Sequence, residues 1–213
     1  MSGMFDYFWA PDEGVAVQDI RELVPFVIEK VPGVDPNEVR RALAAAVNSF
    51  LKDTGIWRRE GLPCRVTEGE VRVATGGCAR VLSVETIYDP DGLAIYRSTD
   101  SYRFPYGEPA RDDASGAFVL PVSGAEEGDE YTADVTITVK LGSEMCPIWV
   151  LDRYGEALAD KAAHELMTKG QPAQSTYLAA YLREVQEVIG RKAMGGSSRS
   201  SAGSALSPAL ERI

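Results

Sequence analysis

His164 is the single histidine of the chain, with Glu165 beside it and Asp160 one helical turn earlier. A general base needs a nucleophile within hydrogen-bond reach and a pocket for its substrate. The sequence shows neither, so His164 reads as a partly exposed helix residue. Acidic pairs are more numerous: Asp112-Asp113, Glu126-Glu127 and Asp129-Glu130. Two carboxylates on opposite sides of a sugar could cleave a glycosidic bond, but these pairs sit in Gly-rich loop segments and read as solvated turns. Their spacing is also unlike a calcium-binding loop. Cys64, Cys78 and Cys146 form no CxxC pair and, with one histidine, complete no zinc set; they read as small reduced hydrophobes. Gly76-Gly77 lacks the lysine and spacing of a phosphate loop and reads as a turn. The expectation is a protein without catalytic residues, cofactor or metal.

The elements that would position any site fall into three stretches. Asp35 can cap a helix that starts at Pro36, with Glu38 three residues after the cap. Val39, Leu43, Val47, Phe50 and Leu51 follow at helical spacing until Gly55, with Trp57 just beyond. Before it, Pro25 and Pro32 confine any helix over residues 19–31 to a short piece. From Arg58 to about Met145 the period becomes two. Strands are expected around 65–67, 70–73 and 80–88, then at Leu93–Tyr96, Tyr102–Phe104, Ala117–Leu120 and Tyr131–Leu141. Asp89-Pro90-Asp91-Gly92 supplies the turn of a hairpin between Ser83–Tyr88 and Leu93–Tyr96. In the last strand Val135, Ile137 and Val139 should face one side, and Thr136, Thr138 and Lys140 the other.

Helical spacing returns after Pro147. Leu151, Tyr154, Leu158, Ala162 and Leu166 form one face, with Glu156, Asp160 and Lys161 opposite. After Gly170 and Pro172 a third helix is expected, capped by Ser175, with Leu178, Tyr181, Leu182, Val185, Val188 and Ile189 inward. Beyond Met194 the composition collapses to Gly, Ser and Ala, as in a flexible segment. The fold class is therefore α+β: a small helical bundle carrying a β-rich insertion as an appendage, with a flexible C-terminal tail. Its parts are an aromatic leader (1–18), the bundle (19–57 and 147–194), the insertion (58–146) and the tail (195–213).

Charge separates these parts further. The net charge of −10 argues against a tightly held nucleic acid, which would need a basic face. Residues 59–146 carry 16 acidic and 8 basic side chains, whereas Arg191, Lys192, Arg199 and Arg212 face only Glu211 after residue 190. A body near −13 thus bears a tail of +3, which suggests different partners for the two. The 213 residues, 45% hydrophobic, hold no run of roughly 20 apolar residues for a membrane span. They also begin with no secretory pattern, so synthesis in the cytoplasm is expected. Phe5, Tyr7, Phe8 and Trp9 crowd the N-terminus, either to dock on a neighbouring protein or to fold back on this one.

The order of these features resembles the head-to-tail adaptors (connectors) of bacteriophages, including the podovirus tail tubular protein A type. Leu23-Val24-Pro25-Phe26-Val27, Val31-Pro32-Gly33-Val34 and a helix ending Phe50-Leu51-Lys52-Asp53-Thr54-Gly55-Ile56-Trp57 are similar to the family's opening. The Ala-rich run from Tyr154 to Leu166, then Pro172 and Tyr177-Leu178-Ala179-Ala180-Tyr181-Leu182, resemble its closing helices. Members often have a cysteine after the first proline, where this chain has Val34 or Asp35. The resemblance implies a structural virion protein at the head–tail junction, assembled in the host cytoplasm. It would form a homo-oligomeric ring, a dodecamer, between the portal protein and a downstream tail or nozzle protein. Genomic DNA would pass through without specific binding, and no membrane would be involved. Arg199, Leu206, Leu210, Arg212 and Ile213 would then be the portal-binding residues, and Phe5, Tyr7, Phe8 and Trp9 would dock the tail protein. Three alternatives remain open: a head-completion or stopper protein of the same neck, a cell-wall-degrading virion enzyme using the acidic loops, and a small monomeric cytoplasmic β-domain binding module.

Overall fold

A computed structural model describes residues 15–100, 104–112, 115–167 and 171–197. Chain order explains the start of the fold. A short strand β1 (Val17–Asp19) pairs antiparallel with β10 (Met145–Pro147), bringing the first helical segment beside the last two. Asp19 then caps a 3-10 turn (Ile20–Leu23) by accepting a hydrogen bond from the Arg21 backbone N–H at 2.8 Å. Helix α1 (Val24–Lys30) carries Pro25 in its first turn, where the missing N–H would have had no intrahelical partner.

Helix α2 (Pro36–Thr54) follows the sequence signals closely. Asp35 accepts from the Asn37 N–H at 2.7 Å. Gly55 closes the helix in the left-handed region (φ 52°), a conformation glycine adopts at little steric cost, and donates its N–H to the Leu51 carbonyl. Val39, Leu43, Val47, Phe50 and Leu51 are all buried.

The β-rich stretch forms two antiparallel four-stranded sheets. One has the order β2-β9-β5-β6, from β2 (Arg58–Pro63), β9 (Thr132–Val139), β5 (Ala79–Tyr88) and β6 (Ala94–Arg97). The other has the order β3-β4-β8-β7, from β3 (Arg65–Thr67), β4 (Glu70–Val73), β8 (Phe118–Pro121) and β7 (Ala110–Arg111). The hairpin at Asp89–Gly92 forms as expected: the Asp89 carboxylate accepts from the Asp91 and Leu93 N–H groups, and Gly92 sits at φ 78°. Of the strand expected at Tyr102–Phe104, Phe104 lies in a bend, before Pro105, and the other two residues lie outside the described residues.

Buried residues of both sheets and of the helices join one apolar cluster, which includes Val71, Leu120, Ile87, Ile137, Leu43 and Leu158. The β part is therefore not an appendage held away from the bundle. Helix α2 packs on β9, and the buried Asn48 amide donates to the Val139 carbonyl at 3.1 Å. For this reason both faces of β9 are covered: Thr136 and Thr138 are as buried as Val135 and Ile137. Alternation along β9 identifies its two faces but not the helix lying over the polar one.

Helices α3 (Ile148–Leu166) and α4 (Pro172–Ser197) complete the bundle. Two boundaries differ from the sequence reading. Helix α4 starts at Pro172, a residue suited to the first helical position, so Ser175 lies inside the helix and is not its cap. The helix also runs through Gly195 and Gly196 to Ser197, past the Met194 limit. Glycine costs only about 1 kcal/mol per helical position, and a helix of 26 residues is already nucleated.

Candidate docking surface on the helical bundle

The residues singled out for catalytic chemistry make local structural contacts. On α3, His164 places Nδ1 2.9 Å from the Gln174 carbonyl, while the Gln174 amide donates back to the His164 and Met167 carbonyls. The pair stitches α3 to the start of α4. The acidic loop after β8 folds on itself, with the Asp129 carboxylate accepting from the Glu126 N–H at 2.8 Å. Asp112 accepts from the Ser115 hydroxyl. Burial pushes the Cys64 and Cys146 thiols up to about 12, so neither is a thiolate near neutrality, and the three cysteines are free. Among the described residues no cluster of His, Cys, Asp or Glu could hold a metal ion, and no helix is long and apolar enough to cross a membrane.

Gly76 and Gly77 turn the chain as expected, with the Ala79 N–H donating to the Gly76 carbonyl. They border an open crevice of about 790 Å³ that also includes Arg65, Glu68, Arg72 and Lys140. Arg72 is engaged by Glu70 at 2.9 Å and Asp112 at 3.8 Å, leaving a mixed-charge surface.

The bundle offers a more defined concavity. A groove of about 800 Å³ runs between α1, α3 and α4, walled by Leu23, Phe26, Leu151 and Tyr177. Its geometry depends on Gly155: a Cβ there would stand 3.0 Å from the Leu23 side chain, so glycine lets the 3-10 turn pack tightly on α3. At the groove, Lys30 of α1 reaches Asp160 of α3 at 2.7 Å and lies 5.1 Å from the centre of the Tyr177 ring on α4. One ammonium thus ties three helices. Burial pulls the Lys30 pKa down, but hydrogen bonding and charge from Asp160 outweigh it, and the net shift is upward. The sequence reading put Asp160 on the exposed face of α3; instead it is 6% exposed. Its partner, 130 residues away, left no local signal.

Apolar residues exposed around this region include Phe26 at 56%, Leu182 at 46% and Ile189 at 44%. Leu182 and Ile189 were expected to face inward. At 100° per residue they share one side of α4, roughly 130° around from Tyr177, whereas Tyr181, Val185 and Val188 fill the core side. The groove holding Phe26 and the outer stripe of α4 are therefore separate apolar features of the bundle, and Trp149 on α3 is exposed as well.

The residues expected to bind partners, Phe5, Tyr7, Phe8 and Trp9 at one end and Arg199, Leu206, Leu210, Arg212 and Ile213 at the other, lie outside the described residues. The described part brings α4 only as far as Ser197, from which the basic segment continues. No family model matches the chain, and no curated protein matches it significantly.

Proposed function

We propose that this chain is a structural virion protein, a head-to-tail adaptor that forms a ring between portal and tail and lines part of the DNA conduit. The observation that carries the reading is the element order. After the short strand β1, two helices (24–54) precede the remaining strands (58–147), two more follow and pack back on the first pair, and the longest of them leads into a segment of reversed charge. This order is the one the resemblance implies.

Two further features support the reading. A closed ring needs two different, mutually complementary patches on each subunit, and the bundle carries two distinct apolar features, one of them at Phe26 and the other at Leu182 and Ile189. The acidic body would repel phosphates, letting DNA pass without adhering. A segment rich in Gly and Ser suits docking across a joint between rings, with Leu206, Leu210 and Ile213 as apolar anchors.

The test is mass photometry of the portal protein of the same phage mixed with the full chain, or with a chain ending at Ser197 so that α4 is kept whole. Full-length protein should add a ring's mass to the portal, and the shortened chain should bind at least tenfold more weakly. Equal binding by both would refute docking by the tail. Absence of any portal complex with the full chain would refute the adaptor reading itself.

A further inference from the structure

At the end of the bundle where α2 stops, four cations converge: Arg58, Arg153, Arg191 and Lys192 line a pocket of about 270 Å³ beside Tyr154 and Val188. Among the described residues no acidic side chain lines it. Lys192 donates to the Gly55 and Thr54 carbonyls at 3.1 and 3.5 Å, neutralising the carbonyl end of α2. Arg58 pairs with Glu85 at 3.3 Å, and Arg191 pairs with Glu187 one turn earlier. Arg153 is exposed and makes no ion pair with another described residue; its guanidinium stands 5.6 Å from the centre of the Tyr154 ring. Four positive groups therefore meet two carboxylates, in a protein whose net charge is −10. The crowding is visible at Lys192, whose pKa is lowered by burial and then by the charge of Arg58.

We infer that this pocket is a docking site for an acidic segment of a partner protein, with Arg153 and Arg191 forking its carboxylates. Guanidinium groups bind carboxylates through two parallel hydrogen bonds, a geometry an ammonium lacks. A volume of about 270 Å³ admits one or two carboxylate side chains. Ile56, Val188 and the Tyr154 ring suit their methylene stems. A nucleic acid fits less well, because its phosphate backbone would run on from the pocket over an acidic body. The inference makes no use of the adaptor reading.

The probe is fluorescein-labelled hexaglutamate, titrated with the full chain at low salt and followed by anisotropy. R153E/R191E should weaken binding at least tenfold. R41E/R65E, which makes the same change in net charge at exposed sites elsewhere, should change it less than twofold, with thermal melts confirming that both variants fold. Binding should also raise the titration midpoint of Lys192, read by NMR on the reductively methylated protein. Equal losses in the two variants would reduce the effect to the overall field of the protein and overturn the site. So would absence of binding, or a labelled DNA oligomer binding as tightly as the peptide. A portal ring that assembles normally with R153E/R191E would leave the adaptor reading untouched.

Discussion

Replacing Lys30 with methionine removes the ammonium that joins three helices but keeps most of the stem's volume. The N–O distance of 2.7 Å gives a gross attraction of about 6 kcal/mol at an effective dielectric of about 20. Desolvation of both groups offsets most of that in the intact pair. The variant loses the attraction and keeps the desolvation, because Asp160 remains in place with its side chain 9% exposed. Breaking a fully buried pair costs about 3–5 kcal/mol; the 22% exposure of the Lys30 side chain places this one near the lower end, about 3 kcal/mol. In a chain of 213 residues that corresponds to a fall in Tm of roughly 6–12 °C. The double variant K30M/D160L removes both charges and should return to within about 1 kcal/mol of the parent. Urea unfolding followed by circular dichroism at 222 nm measures all members of the cycle. The sign of the pH dependence follows from Lys30: its pKa is raised in the folded state, so the pair's contribution is fully present below the unfolded value of 10.5 and is lost as pH rises through the higher folded value. The gap between parent and K30M should therefore stay constant from pH 7 to 10 and close above that. A loss under about 0.5 kcal/mol would refute the assignment of Lys30 as the tie between helices. A double variant as unstable as K30M would do the same.

Other substitutions probe separate joints. Phe50→Ala empties a fully buried site whose ring stands 4.8 Å from Tyr154 and 6.3 Å from Tyr181, and should cost about 3–5 kcal/mol in denaturant unfolding. Gly55→Ala should lower stability by about 1–2 kcal/mol, because φ is 52° and the new Cβ would meet Lys192 Nζ at 3.0 Å; a thermal melt reads it. Cys64 and Cys146, with thiols pushed up to about 12 by burial, should resist a thiol reagent at pH 8 and react only once urea unfolds the chain, as counted by mass spectrometry.

Local chemistry was legible in the sequence where it is decided locally. Asp35, Pro36 and Gly55 set the ends of α2 through backbone hydrogen bonds within a few residues, and the Asp89–Gly92 hairpin needs only its own turn. The α+β class followed from the change of period at residue 58 and its return after Pro147. Long-range packing was not legible. Asp160 looked like an exposed helix carboxylate because helical spacing counts neighbours along one helix, whereas its burial comes from Lys30 on another. Alternation put Thr136 and Thr138 on the face of β9 opposite Val135 and Ile137 but is silent about α2, so their burial had no local signal. Leu182 and Ile189 erred the opposite way: apolar type suggested the core, but the core side of α4 is already filled by Tyr181, Val185 and Val188.

The charge reversal along the chain is also sharper in three dimensions than in sequence. Read linearly, the basic character begins at Arg191 and grows towards the C-terminus. Folding adds Arg58, from the start of the β part, and Arg153, from α3, to Arg191 and Lys192 at one end of the bundle. Arg153 stands alone among carboxylates in sequence, between Asp152 and Glu156, and Arg58 has Arg59 as its one adjacent cation; their meeting depends on the left-handed turn at Gly55 and the packing of α4 along α2. The positive surface is thus partly built on rigid helices, which hold its charges in place before a partner arrives and reduce the ordering cost of binding. In the proposed complexes the Gly- and Ser-rich segment would contribute reach, and the pocket would contribute position. The two act on different terms of the binding free energy, so loss of one should leave measurable affinity through the other.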